Sequence, residues 1–205
     1  MVMKEWSLTT KFLHVGLLTT VTLQLITSLV MDEPDDDGSL IGMALFEAHE
    51  LIGLTALGIV LLHWLWSLVN YTNGDLKHLF PWGAVGRQQI ASDIKALLRF
   101  EMPQGGKRGG LPGLIHGLGL LAVSGAALTG GMLFLLYPEF GEPGALAEGF
   151  EELHEGLATL VWTYWVAHGS IAVLHHLSGH DTVKKMFTFT SEKDQQIENV
   201  EKNHS

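Results

Sequence analysis

Residues 151–176 read EELHEGLATLVWTYWVAHGSIAVLHH, and residues 46–66 read FEAHELIGLTALGIVLLHWLW. Each stretch carries two histidines fourteen residues apart, His154 with His168 and His49 with His63. In each, the first histidine is followed by one glutamate and then by a long run without charge. Fourteen residues of α-helix rise about 21 Å and return to within roughly 40° of the starting face. Two helices of this kind show imidazoles at two depths on one side.

Four segments of the 205-residue chain contain no Asp, Glu, Lys or Arg: Phe12–Met31, Leu51–Gly74, Gly109–Pro138 and Gly156–His180. A helix needs about 20 apolar residues to cross a hydrocarbon core, and each segment is long enough. The first is followed by Asp32-Glu33-Pro34 with no small-x-small cleavage site, so it reads as a retained span rather than a secretory leader. The expectation is an all-α membrane protein, a four-helix bundle with spans at about 11–31, 46–71, 111–137 and 153–178. The domain runs over 1–187 and a polar tail over 188–205.

All twelve basic residues fall before the first span, between the second and third, or after the fourth. The other two loops carry thirteen acids and no Lys or Arg. The positive-inside rule then puts both termini in the cytoplasm and leaves an acidic outer face. Within the long inner loop Ile90, Ile94, Leu97 and Leu98 recur at helical spacing, while Arg87, Lys95 and Arg99 lie off that stripe. This predicts a short amphipathic helix, on the membrane surface or packed on the bundle. The net charge of −10 argues against nucleic-acid binding. With no cysteine there is no c-type haem attachment, thiolate iron–sulfur cluster or disulfide, so a redox cofactor would be held by nitrogen or oxygen. The glycines of the middle spans (Gly53, Gly58, Gly113, Gly117, Gly119, Gly125, Gly130, Gly131) suit close helix packing, and they also leave room for a flat ligand.

With the termini inside, His49 and His154 lie near the outer ends of their spans, and His63 and His168 about 21 Å further in. His14 falls at the inner level, which therefore offers three histidines against two outside. A buried imidazole is costly in a bilayer unless paired, and a lone one is commonly a hydrogen-bonded packing residue. A set matched in depth points to bis-imidazole haem ligation, the six-coordinate arrangement suited to electron transfer. A metal or proton path would instead mix carboxylates with histidine at one mid-membrane level, whereas every acid here lies at or beyond the span ends.

Lys11-Phe-Leu-His14, Phe46-Glu-Ala-His49-Glu-Leu-Ile-Gly, Leu114-Ile-His116-Gly and Glu152-Leu-His154 followed by Ala167-His168-Gly and Leu174-His175-His176 resemble the bacterial cytochrome b561 and nickel–iron hydrogenase b-type cytochrome family. The resemblance covers about residues 6–187. It implies a multi-pass protein of the bacterial inner membrane with two haem b groups, exchanging electrons between the quinone pool and a redox partner; the acidic outer loops would favour a basic periplasmic redox protein such as a c-type cytochrome. It implies His49 and His154 as outer ligands and His14 and His168 as inner ones, where spacing alone leaves His63 paired with His168. Family members commonly carry arginine at the position of His63, so His63 is a propionate partner or a rival ligand. His175 and His116 suit propionate contacts or a quinone site, or simple capping. An electron-transfer cytochrome is the leading reading. The others are a superoxide:quinone oxidoreductase, which an acidic outer face would disfavour, and a haem-bearing anchor subunit of a larger dehydrogenase or hydrogenase. Trp165 lies between the two levels, and Trp6, Trp64, Trp66 and Trp82 fit an inner aromatic belt.

Overall fold

A computed structural model describes residues 7–32, 39–69, 75–99, 101, 109–137, 144–179 and 182–189. Lys4, Trp6, Lys107, Arg108, His180, His204 and the polar tail from residue 190 lie outside the described residues, as does most of the acidic stretch 32–37.

The described residues form helices α1 (Leu8–Thr27), α2 (Leu40–Val69), α3 (Asp75–Leu79), α4 (Ala84–Leu98), α5 (Gly110–Leu136), α6 (Ala145–Leu177) and α7 (Thr182–Phe187). Among them α2, α5 and α6 are long and apolar enough to cross a membrane. At 20 residues α1 has the length, but its threonines, Lys11 and Gln24 make it less apolar. The four long helices pack in chain order, α1 on α2, α2 on α5 and α5 on α6. The α1–α6 pair is not among the closely packed ones, so the bundle has a seam there. Large side chains point outward in number: Leu40, Leu135 and Leu177 are all more than 70% exposed. An apolar exterior around a small buried core is what lipid as solvent permits, since hydrocarbon gives helices no hydrophobic reason to hide leucine.

Two helices begin earlier than their apolar runs. For α2 the reason is a cap: Ser39 Oγ accepts from Gly42 N at 3.0 Å, while Asp32 holds the backbone N–H and hydroxyl of Ser39 at 2.8 and 2.9 Å. A serine in this position satisfies an amide that the first turn leaves orphaned. For α6 the helix starts directly after Gly144 and carries Glu148 in its first turn, a charge that suits the positive end of a helix dipole.

The amphipathic element of the inner loop is α4. Its apolar Ile94, Leu97 and Leu98 are exposed, whereas Asp93 is buried against the start of α5. There Asp93 Oδ2 accepts from Leu111 N at 3.0 Å. Gly110 takes φ +78°, a conformation few residues but glycine adopt, and a Cβ there would strike the Asp93 carboxylate. Asp93 thus docks α4 on α5, and Ile94, Leu97 and Leu98 stay exposed.

Near the start of α1, Lys11 is buried and its Nζ donates to the Thr188 carbonyl at 2.9 Å. Phe12 stacks on Phe189 with ring centres 4.8 Å apart. Residues 188–189 are therefore bound to α1. The tryptophans differ from a simple belt. Trp64 Nε1 donates to Ser124 on α5 at 2.9 Å, and Trp66 Nε1 to Thr10 on α1 at 3.3 Å. Two residues apart on a helix are about 200° apart in direction, so the pair cannot share one lipid face and instead ties α2 to both neighbours. Trp82 is exposed, as a belt residue would be.

Candidate functional site

The seam between α1 and α6 is bridged by side chains. His14 on α1 faces His168 on α6 with ring centres 6.4 Å apart. His49 on α2 faces His154 on α6, again at 6.4 Å. Between these levels Trp165 Nε1 donates to Thr22 Oγ1 at 3.0 Å, joining α6 to α1.

At the level of His49 and His154, the outer one on the sequence expectation, the two rings border a cavity of about 410 Å³. Its walls are mostly apolar (Val21, Leu25, Leu54, Val123, Ala126, Val161), and its rim carries Glu50, Tyr137, Glu151 and Glu155. Tyr137 donates its hydroxyl hydrogen to Glu151 at 3.0 Å. An apolar chamber with a few convergent polar groups is the usual form of a cofactor site, and its size falls within the common range. His49 Nδ1 lies 3.0 Å from Thr27 Oγ1, and His154 Nδ1 lies 3.0 Å from Thr129 Oγ1. Gln24 Nε2 donates to the His49 carbonyl at 2.8 Å, while its Oε1 is buried with no hydrogen-bond partner. This approach is open because residue 53 is glycine: a Cβ would stand 2.5 Å from Gln24 Nε2. Gly130 serves His154 likewise, with the ring 3.0 Å from where a Cβ would be.

The level of His14 and His168, the inner one on the same expectation, is more crowded. His116 Nδ1 donates to the Pro112 carbonyl at 2.6 Å, and its ring sits edge-on to His168 at 4.9 Å. Tyr164 also stacks on His168 at 5.2 Å and rests against Gly119, where any Cβ would collide with the phenol ring. His14 Nδ1 is buried without a hydrogen-bond partner. His63 lies within electrostatic range of His14, with its Nδ1 3.4 Å from Ser67 Oγ. His175 is half-buried two turns beyond His168, and His176 is exposed. Sequence spacing puts His116 level with His175; packing brings it to the His14–His168 level instead.

Thr27, Thr129, Gln24 and Tyr164 escape a reading of the sequence. Gln24 alone carried a signal, as an amide inside a charge-free span.

An all-helical bundle with long apolar helices and imidazoles opposed across its interior defines a class, the helical membrane proteins that grip a flat cofactor between histidines. The family model for prokaryotic cytochrome b561 matches residues 5–189, nearly the whole chain, and the protein belongs to that family. It is accordingly a multi-pass membrane b-type cytochrome, a haem b-binding electron-transfer protein. No curated protein and no solved structure matches.

The residues fit the group that the family implies. A bond of about 2.0 Å from a first-row metal to imidazole nitrogen, plus about 1.1 Å from that nitrogen to the ring centre, puts two rings on opposite sides of one metal roughly 6.2 Å apart. Both histidine pairs stand at 6.4 Å. The donor set is neutral nitrogen throughout, as bis-imidazole haem requires.

Proposed function

We propose that the chain spans the bacterial inner membrane four times, with both termini in the cytoplasm, and carries electrons between the quinone pool and a redox partner through two b haems. His49 and His154 are the outer ligands, and His14 and His168 the inner ones. The observation carrying this reading is the recurrence of one ring-centre separation, 6.4 Å, at two levels along α6, once to α1 and once to α2. His14, not His63, is the inner partner because its ring faces His168 at that separation.

Bound haem supplies a one-electron couple whose geometry changes little between oxidation states. The protein's part is to fix the imidazoles, exclude water and set the local charge. The apolar walls of the outer chamber exclude water. Trp165 closes the seam between levels. His116, held by Pro112, supports His168 from the side, and His63 and His175 remain for propionate or quinone contacts at the cytoplasmic end.

The outer rim, lined by Glu50, Glu151 and Glu155, favours a basic redox protein such as a c-type cytochrome over an anionic substrate such as superoxide. Haem reoxidation by a basic cytochrome should slow steeply as salt rises; a flat ionic-strength profile removes this partner.

The direct test is a reduced-minus-oxidised spectrum of purified protein with pyridine-haemochrome quantitation, expected to give two low-spin haems per chain. A colourless preparation made with ample haem supply would refute the reading. If His14→Ala kept both haems while His63→Ala lost one, the inner assignment would pass to His63.

A further inference from the structure

We propose that Thr27 and Thr129 are positioning residues for the outer haem, each engaging the Nδ1 hydrogen of its histidine and so leaving Nε2 free for iron; this rests on the His49–His154 ligation proposed above. A threonine hydroxyl has one hydrogen to give. Thr27 Oγ1 directs it to the carbonyls of Leu23 and Gln24, both at 3.0 Å. Thr129 Oγ1 directs it to those of Gly125 and Ala126, at 2.9 and 3.0 Å. Each oxygen therefore meets its imidazole nitrogen, 3.0 Å away, as an acceptor, and the hydrogen between them belongs to Nδ1. In a neutral imidazole the other nitrogen then carries the lone pair.

The same arrangement is built twice, from α1 onto α2 and from α5 onto α6, with the threonine one helix before its histidine. Both hydroxyls are buried, so water does not compete for them. Threonine bonding back to its own helix is common and needs no imidazole, as Thr20 shows with the Gly16 carbonyl at 2.9 Å. What Thr27 and Thr129 add is the same second contact at both proposed ligands of one site. An acceptor on the far nitrogen makes a ligating imidazole more basic and steadies its orientation. A more basic ligand favours the ferric state. His14, whose Nδ1 is buried with no hydrogen-bond partner, has no such support. The threonines therefore make the outer haem harder to reduce than it would be without them.

The test uses the purified holoprotein and the variants Thr27→Val, Thr129→Val, Thr27→Ser and Thr129→Ser. Valine keeps the shape without the hydroxyl, and serine keeps the hydroxyl. Three readouts apply: a potentiometric titration of each haem, the low-spin signal of the ferric outer haem, and the rate of haem loss to a scavenging apoprotein. Each valine variant should favour reduction of the outer haem by about tenfold, 59 mV for one electron, and speed its loss about tenfold. The inner haem should be unchanged, and serine should behave as the native chain does. Outer haem lost from the valine variants but kept by the serine ones supports the proposal. Valine variants matching the native protein in every readout overturn it, as do serine variants that fail alongside valine. A native protein lacking an outer bis-histidine haem overturns the ligation itself, and this proposal with it.

Discussion

At the outer level His49 and His154 border an open chamber, and each stands 3.0 Å from a buried threonine hydroxyl. At the inner level His14 and His168 stand equally far apart, but His116 and Tyr164 crowd His168 and no hydroxyl reaches His14 Nδ1. Equal spacing with unequal surroundings shows how one helix pattern gives two histidine pairs of different character. The fourteen-residue repeat sets where imidazoles fall along a helix, while the groups beside them come from other helices and need not repeat.

The sharpest break of that comparison is loss of one level without the other. His49→Ala or His154→Ala should reduce the haem content from two per chain to one and leave the inner spectrum intact, and His14→Ala or His168→Ala should do the converse. Loss of both haems from any one of these variants would mean that the levels are not independent.

Next come the glycines that give each level its space. Gly119→Ala drives a methyl into the Tyr164 ring that stacks on His168. Overpacking of this kind costs about 1–3 kcal/mol, and the inner haem alone should become labile on mild heating. Gly130→Val presses on the His154 ring instead, and should loosen only the outer haem.

A smaller effect is expected at Asp93. Asp93→Ala removes the acceptor of Leu111 N at the start of α5, at a cost of about 1 kcal/mol. Its effect should be a lower thermal midpoint with both haem potentials unmoved. Smallest of all should be Trp165→Phe, which deletes the hydrogen bond to Thr22 between the levels. A net loss of about 1 kcal/mol or less in stability is expected, shared by both sites. A spectral change confined to one level would show that Trp165 belongs to that site rather than to the seam.

Much of this was legible in the chain. The long apolar runs announce helices, and the apolar stripe of α4 announces an amphipathic element, because both are properties of local composition and period. His49, His154 and His168 stand out for the same reason. The histidine of α1 was less plain: on spacing alone His63 shares a helix face with His49 and competes with His14. Only the packing of α1 across the seam sets His14 apart, by bringing its ring to 6.4 Å from His168, since ring-to-ring separation depends on where two helices lie and not on either sequence. Thr27 and Thr129 were invisible because threonine is ordinary in a membrane helix; their role appears when a neighbouring helix brings a histidine nitrogen within 3.0 Å.

The sequence by itself determined that the chain is helical, where charge is excluded, and at which depths imidazoles recur, because these follow from helix rise and the cost of charge in hydrocarbon. The tertiary structure alone decided which imidazoles face each other, which receive a hydroxyl and which glycine yields to which ring. Those are contacts between segments distant in the chain, set by how side chains of four helices fill one shared interior.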